Sequence, residues 1–172
     1  MYLDTEGHVT IGVGHLIKDI ESAMNLNFKI AISNIHAKRD EVKSAFESVK
    51  KQKKGNYAIY YKKFSNLTIS EPDIDFLTRK HIDTFEGELK RLFPKFNSYP
   101  IEVKFALFDI IFNVGMTDLN NKWPKFKKAI KNNEWAVAAK ESNRKPPINA
   151  ERNKYVRDLL NKAKSNKSKN KI

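Results

Sequence analysis

Apolar positions follow two periods along this chain. Near the start, Val9, Ile11 and Val13 alternate with His8, Thr10 and Gly12, the period of a strand. Tyr2-Leu3-Asp4 is a second extended run, and Thr5-Glu6-Gly7 between the two supplies a glycine where a hairpin turn needs positive φ. Asp4 then ends the first strand, Thr10 lies mid-way along the second, and the hairpin is expected to fold these side chains toward each other. Gly12 and Gly14 remove side chains where backbone approaches another element.

Beyond the hairpin the period becomes helical. Asp40 to Lys53 predicts an amphipathic helix with Val42, Ala45, Phe46 and Val49 on one face, broken by Gly55-Asn56. Tyr57 to Phe64 mixes aromatics with Lys62-Lys63 and reads either as an edge strand or as the start of a helix. Such residues pack a small lobe or stack on sugars and bases. Ser70-Glu-Pro-Asp73 is a capping pattern with proline in the first turn. Ile74, Leu77, Ile82, Phe85, Leu89 and Leu92 follow, and Pro94 stops the run. Ile101 to Val114 is apolar on most sides, as in a helix at the centre of a bundle, and Gly115 is placed to end it. Trp123-Pro124 opens another helix with Ala129 and Ile130 inward. Glu134 to Glu141 carries Trp135, Ala138 and Ala139 at helical spacing. A last helix runs to Ala163 with Tyr155, Val156, Leu159 and Leu160 inward.

The string Y-x-D-T-x-G-x-x-T-I-G-x-G-H from Tyr2 to His15 resembles, without a gap over fourteen residues, the phage-type lysozymes of glycoside hydrolase family 24. An ordinary surface hairpin also carries Asp-Thr-Glu-Gly; the density of the full string sets this one apart. The resemblance implies an α+β fold, mainly α: a small β-hairpin lobe plus a helical lobe with a cleft between them. Residues 1–163 form the domain, with 1–69 as the β-containing lobe, an insertion at about 18–66 and the helical lobe at 70–163. A basic, unstructured tail follows at 164–172.

By the same resemblance Asp4 serves as general base or charge stabiliser and Thr10 positions the attacking water. His15 supports the cleft from within, and Leu16 beside it joins the substrate-facing set. Glu6, at the turn tip, reads as a sugar or peptide contact. Phe112, in a Phe-Asn-Val-Gly helix ending like that of the family, would line the sugar site, though a core Phe fits the same position. Phe126 falls near another substrate-facing position, with a different residue type from the family. Arg144 and Arg152 loosely fit an Arg-containing segment and read as structural ion pairs.

The family's general acid, a Glu nine residues before the Asp, falls ahead of Met1. Glycosidic cleavage needs two carboxyl groups, one protonated and one ionised. Three explanations stand: a fragment of a longer protein, a start placed too late, or loss of catalysis. The first is expected.

Composition narrows the partners. A formal net charge of +13 calls for an anionic partner, and peptidoglycan carries peptide carboxylates. Nucleic acid would satisfy the charge as well but is not the expected partner. With Cys 0, disulfides and thiolate metal sites are excluded. The histidines show no metal spacing, so no metal or cofactor is expected. No apolar run is long enough to span a membrane, and no export signal is visible. The implied function is a monomeric muramidase acting on the bacterial cell wall, as an endolysin, a bacteriocin or a secreted effector, with an immunity or inhibitor protein as a further candidate partner. The alternatives are a non-catalytic peptidoglycan-binding module and a basic helical nucleic-acid binder.

Overall fold

The computed structural model describes residues 1–146 and 148–169, with side chains placed up to Lys164. The chain is mainly helical with small antiparallel sheets, the α+β class expected from the sequence. It divides into two compact units, residues 1–80 and 81–172.

The first unit is built from short pieces. β1 (Tyr2–Leu3), β2 (Val9–Ile11) and β3 (His15–Leu16) form an antiparallel sheet in the order β1-β2-β3. Tyr2 pairs with Thr10 and Leu3 with Val9; Thr10 pairs with Leu16 and Ile11 with His15. α1 (Ile20–Met24) follows, capped by Asp19, whose carboxylate accepts the Ser22 N–H at 2.7 Å. β4 (Lys29–Ile30) pairs antiparallel with β5 (Leu67–Thr68), and α2 (Arg39–Lys50) lies between them in sequence. The Glu41 carboxylate accepts the Lys38 N–H at 2.7 Å, fixing the start of α2.

As its period predicts, α2 buries Val42, Ala45, Phe46 and Val49. They pack with Leu3, Val9 and Ile11 of the hairpin and with Ile17, Phe28 and Tyr61 in one core. The segment read as an insertion therefore supplies much of the apolar floor beneath the hairpin. Residues 57–64, left open between strand and helix, form α3 (Ala58–Tyr61) and a 3-10 turn, Lys62–Phe64.

α4 (Glu71–Leu92) is one continuous helix that carries the chain from the first unit into the second. Ser70 and Asp73 bond reciprocally at its start: the Asp73 N–H donates to Ser70 Oγ at 3.3 Å and the Ser70 hydroxyl donates to the Asp73 carboxylate. That hydroxyl is the main reason the Asp73 carboxyl lies below its ordinary value; burial opposes it, and the Asn27 amide adds to the lowering.

The second unit is a helical bundle. α5 (Ile101–Lys122) is interrupted at Gly115, where φ 72° and ψ 164° leave helical space. Only glycine adopts that conformation readily, so the predicted helix end stands and a further helical piece continues beyond it. α6 (Pro124–Lys131), α7 (Trp135–Glu141) and α8 (Ala150–Lys169) complete the bundle. Val103, Ala106, Leu107, Ile110 and Ile111 of α5 are fully buried against Phe93, Phe96, Ile130, Val156 and Leu160, among others. Tyr155 and Ile82, expected inward, are exposed, while Val156 and Leu160 lie on the inner face of α8 as expected.

The α8 backbone runs on to Lys169, past the predicted change from helix to basic tail at Ala163. The last residues of that tail, 170–172, lie outside the described residues.

Candidate functional site

The hairpin turn is organised by Asp4. The Asp4 N–H donates to the His8 carbonyl at 3.0 Å and the Gly7 N–H to the Asp4 carbonyl at 3.1 Å. Asp4 Oδ1 accepts two more backbone N–H bonds, from Glu6 at 2.9 Å and His8 at 2.8 Å. The carboxylate thus closes its own turn, a role for which Asp side chains are suited. Its other oxygen, Oδ2, lies 3.3 Å from Nδ1 of the His8 ring. The Asp4 side chain stays about one-third exposed and the His8 side chain about half.

The register corrects one expectation. Asp4 faces His8 across the turn, and Thr10 faces Tyr2 two pairs further in, beyond Leu3 and Val9. Residues opposite one another share a face of the sheet, so Tyr2, Asp4, His8, Thr10 and Leu16 lie on one side. Thr10 is only 3% exposed, and its hydroxyl donates to the His8 carbonyl at 3.2 Å rather than reaching Asp4. Tyr2 on this face is partly buried. Burial is the main reason its phenol is raised above the ordinary value; the nearby Asp4 charge adds to the rise, and a hydrogen bond from the Gly14 N–H opposes it. His15 pairs with Ile11 and therefore belongs to the opposite face from Asp4 and Thr10. Glu6 is exposed at the tip and Leu16 is exposed beside Thr10.

Two features of the hairpin come from far along the chain. Lys50, at the end of α2, donates to the Gly7 carbonyl at 3.0 Å, and Lys54 reaches the Glu6 carbonyl at 3.5 Å. Gly12 has φ 53°, and a Cβ there would stand 3.0 Å from Cγ2 of Ile74. Both the positive φ and this close approach demand glycine at that point. A cavity of about 210 Å³ opens beside this contact, lined among others by Tyr2, Ile11, Gly12, Phe28, Lys62 and Ile74. Asp4 and Thr10 are not among its walls.

The two aromatic candidates belong to the second unit and differ sharply. Phe112 is 41% exposed, with its ring edge-on to Phe85 and the Arg152 guanidinium 6.0 Å from its centre. The core alternative for Phe112 therefore fails, and a surface contact remains open to it. Phe126 is 1% exposed and packs edge-on against Trp123 within the bundle core, so it cannot touch substrate as expected. The amphipathic period of α6, which points Phe126 inward with Ala129 and Ile130, carried that information.

Arg144 and Arg152 act as structural ion pairs. Buried Arg144 bonds Asp109 Oδ1 at 2.5 Å, Arg152 Nε meets Asp109 Oδ2 at 3.0 Å, and Asn153 accepts from Arg144 Nε at 3.1 Å. Among the described residues no group of three or more His, Asp and Glu side chains is placed to hold a metal ion. No helix is long and apolar enough to cross a membrane, again among the described residues.

His8 was not singled out from the sequence. Its only signal was position, four residues after Asp4 across a tight turn. Comparison with protein-family models, with curated proteins and with solved structures finds no match for this chain.

Proposed function

We propose that this chain is the working domain of a peptidoglycan hydrolase, a muramidase that cleaves the β-1,4 bond between N-acetylmuramic acid and N-acetylglucosamine. The observation that carries the reading is the Asp4 carboxylate, held at a hairpin turn by two backbone N–H bonds to Oδ1, with Oδ2 turned toward half-exposed His8. Around it stands the fourteen-residue string that resembles the phage-type lysozymes. A carboxylate fixed through one oxygen keeps its direction while the second oxygen is available to a proton. In an inverting reaction Oδ2 would take a proton from water as the water oxygen bonds the anomeric carbon and the glycosidic C–O bond breaks. The leaving oxygen would take its proton from a second, protonated carboxyl group, which this reaction requires. His8 would release Oδ2 at that moment. The place of action would be the bacterial wall, with a phage endolysin or an antibacterial effector as the biological setting.

A second reading, a wall-binding module without catalysis, is favoured by one specific observation. Thr10 is buried with its hydroxyl on the His8 carbonyl, so it does not present a water to Asp4 in this state. Release of reducing ends from purified sacculi separates the two, assayed with the product of the full encoding reading frame. Under the first reading the protein releases them, and Asp4→Asn, which keeps an oxygen for the turn, lowers the rate about 100-fold or more. An unchanged rate for Asp4→Asn overturns the role given to Asp4. Sedimentation with sacculi and no reducing ends from the parent protein selects the second reading.

A further inference from the structure

Between Glu47 and Glu71 the chain holds no acidic residue and six lysines: Lys50, Lys51, Lys53, Lys54, Lys62 and Lys63. Elsewhere cations are matched on their own helix, as in Lys90–Glu86, Lys122–Asp118 and Lys154–Asp158. Among the described residues these six form no ion pair with a carboxylate. Two of them, Lys50 and Lys54, are spent on the hairpin carbonyls and Lys63 lies over the Tyr60 ring; Lys51, Lys53 and Lys62 are left to solvent or to a partner.

Aromatics crowd the same stretch, and they do not simply pack the lobe. Tyr61 alone is fully buried, with its hydroxyl donating to the Lys53 carbonyl at 2.8 Å. That bond ties the turn after α2 to α3 and fixes what stands on it. Tyr57 is 88% exposed and Ile59 66% exposed, and Tyr60 is also at the surface. Tyr60 packs on Phe64 with ring centres 5.5 Å apart, and the Lys63 ammonium lies 4.5 Å from the Tyr60 ring centre. Exposed, pre-ordered rings interleaved with unneutralised cations make a surface that gains by covering.

We propose that the Tyr57–Lys63 turn is a docking platform for a peptidoglycan glycan strand, the tyrosines stacking on sugar faces and the lysines pairing with stem-peptide carboxylates; this rests on the reading that the hairpin works on that polymer. The platform is continuous with the candidate site. Lys50 and Lys54 join α2 and its following turn to the carbonyls of Gly7 and Glu6, three and two residues from Asp4. Lys62 lines the cavity that Tyr2 and Gly12 also line. A strand leaving Asp4 along this side meets neutral sugar faces against tyrosines and sparse carboxylates against lysines. A polyphosphate, charged at every unit, would instead run past the Asp4 and Glu6 carboxylates, which repel it.

Sedimentation of the full chain with purified sacculi tests the platform separately from cleavage. Tyr57→Ala, at a side chain that is 88% exposed, should weaken binding about tenfold, and Tyr57→Ala/Tyr60→Ala further. Lys62→Gln/Lys63→Gln, or amidation of the carboxylates on the sacculi, should weaken binding and flatten its salt dependence. Parent-like binding by the tyrosine variants overturns the proposal, as does tighter binding of the parent to single-stranded DNA or to phosphatidylglycerol vesicles than to sacculi. Failure of the cleavage reading is seen elsewhere: no reducing ends, with sacculus binding still lost in Tyr57→Ala, sinks the muramidase assignment alone. Cleavage with binding indifferent to the tyrosines sinks the platform alone.

Discussion

The two units reach order by different means. The second is held by volume. Tyr99 stands edge-on to Phe93, Phe96 and Trp135 at ring separations of 6.4, 6.4 and 5.4 Å, and burial raises its phenol above the ordinary value. Fully buried Leu107, Ile110 and Ile111 fill the space behind them. Such a core tolerates no missing atoms. The first unit has strands of two or three residues and is held by backbone devices: glycines at positive φ, a carboxylate closing a turn, and lysines on carbonyls. Sensitivity should therefore sit in side-chain volume and buried charge in one unit, and in backbone conformation in the other.

The sharpest way to break this contrast is Arg144→Ala. It leaves Asp109 with only half-exposed Arg152 and removes the Arg144 Nε bond to Asn153, which keeps its two backbone bonds to residue 144, so a loss of about 4 kcal/mol is expected. Both tryptophans, Trp123 and Trp135, belong to the second unit, so their fluorescence in urea reports that loss directly. An unshifted midpoint would remove the network from the account of the bundle.

Next comes Gly12→Ala, expected to cost about 2 kcal/mol through positive φ and the clash with Ile74 together. Gly55→Ala, also at positive φ but with nothing within 4 Å, should cost about 1 kcal/mol. Amide exchange across the first unit measures both. Equal effects would show that the approach of Ile74 contributes nothing.

Acid should act on the first unit through its helix starts. Asp19 is held below its ordinary value chiefly by the Ser22 N–H, and Asp73 chiefly by the Ser70 hydroxyl. A carboxyl lowered in the folded state stabilises it above the unfolded-chain value, and that contribution fades as pH falls toward the folded value. Asp73→Asn should therefore flatten the acid limb of the stability profile and leave neutral pH least different in slope. A limb as steep as the parent's would locate the acid sensitivity elsewhere. The smallest effect belongs to Lys154→Ala, which removes an exposed pair with Asp158 and should change stability by less than about 0.5 kcal/mol in a thermal melt.

Legibility followed the same division. Helices with long periods and clear caps could be read: α2 from Val42, Ala45, Phe46 and Val49, α4 from Ser70 and Pro94, and the α5 break from Gly115. The short elements could not. A two-residue strand such as β4 has no period of its own and exists because Leu67, far along the chain, pairs with Ile30. At the candidate site, Asp4 and the hairpin were legible and the rung was not. Strand alternation places Asp4 and Thr10 on one face, but it does not say that the turn sets Asp4 against His8. Phe126 was misread because a position was carried over from a family while the helix period beneath it pointed inward.

The lysine contacts from α2 to the hairpin carry a consequence for heredity and for engineering. A stretch that looks like a late addition is usually expendable, since lineages that lose it keep a working remainder. Here α2 supplies both the floor of the hairpin and the hooks on its tip. The hairpin and the segment at 18–66 must then be inherited, transplanted or redesigned as one piece, and a hairpin grafted alone onto another scaffold would arrive without its floor and without the lysines that fasten its tip.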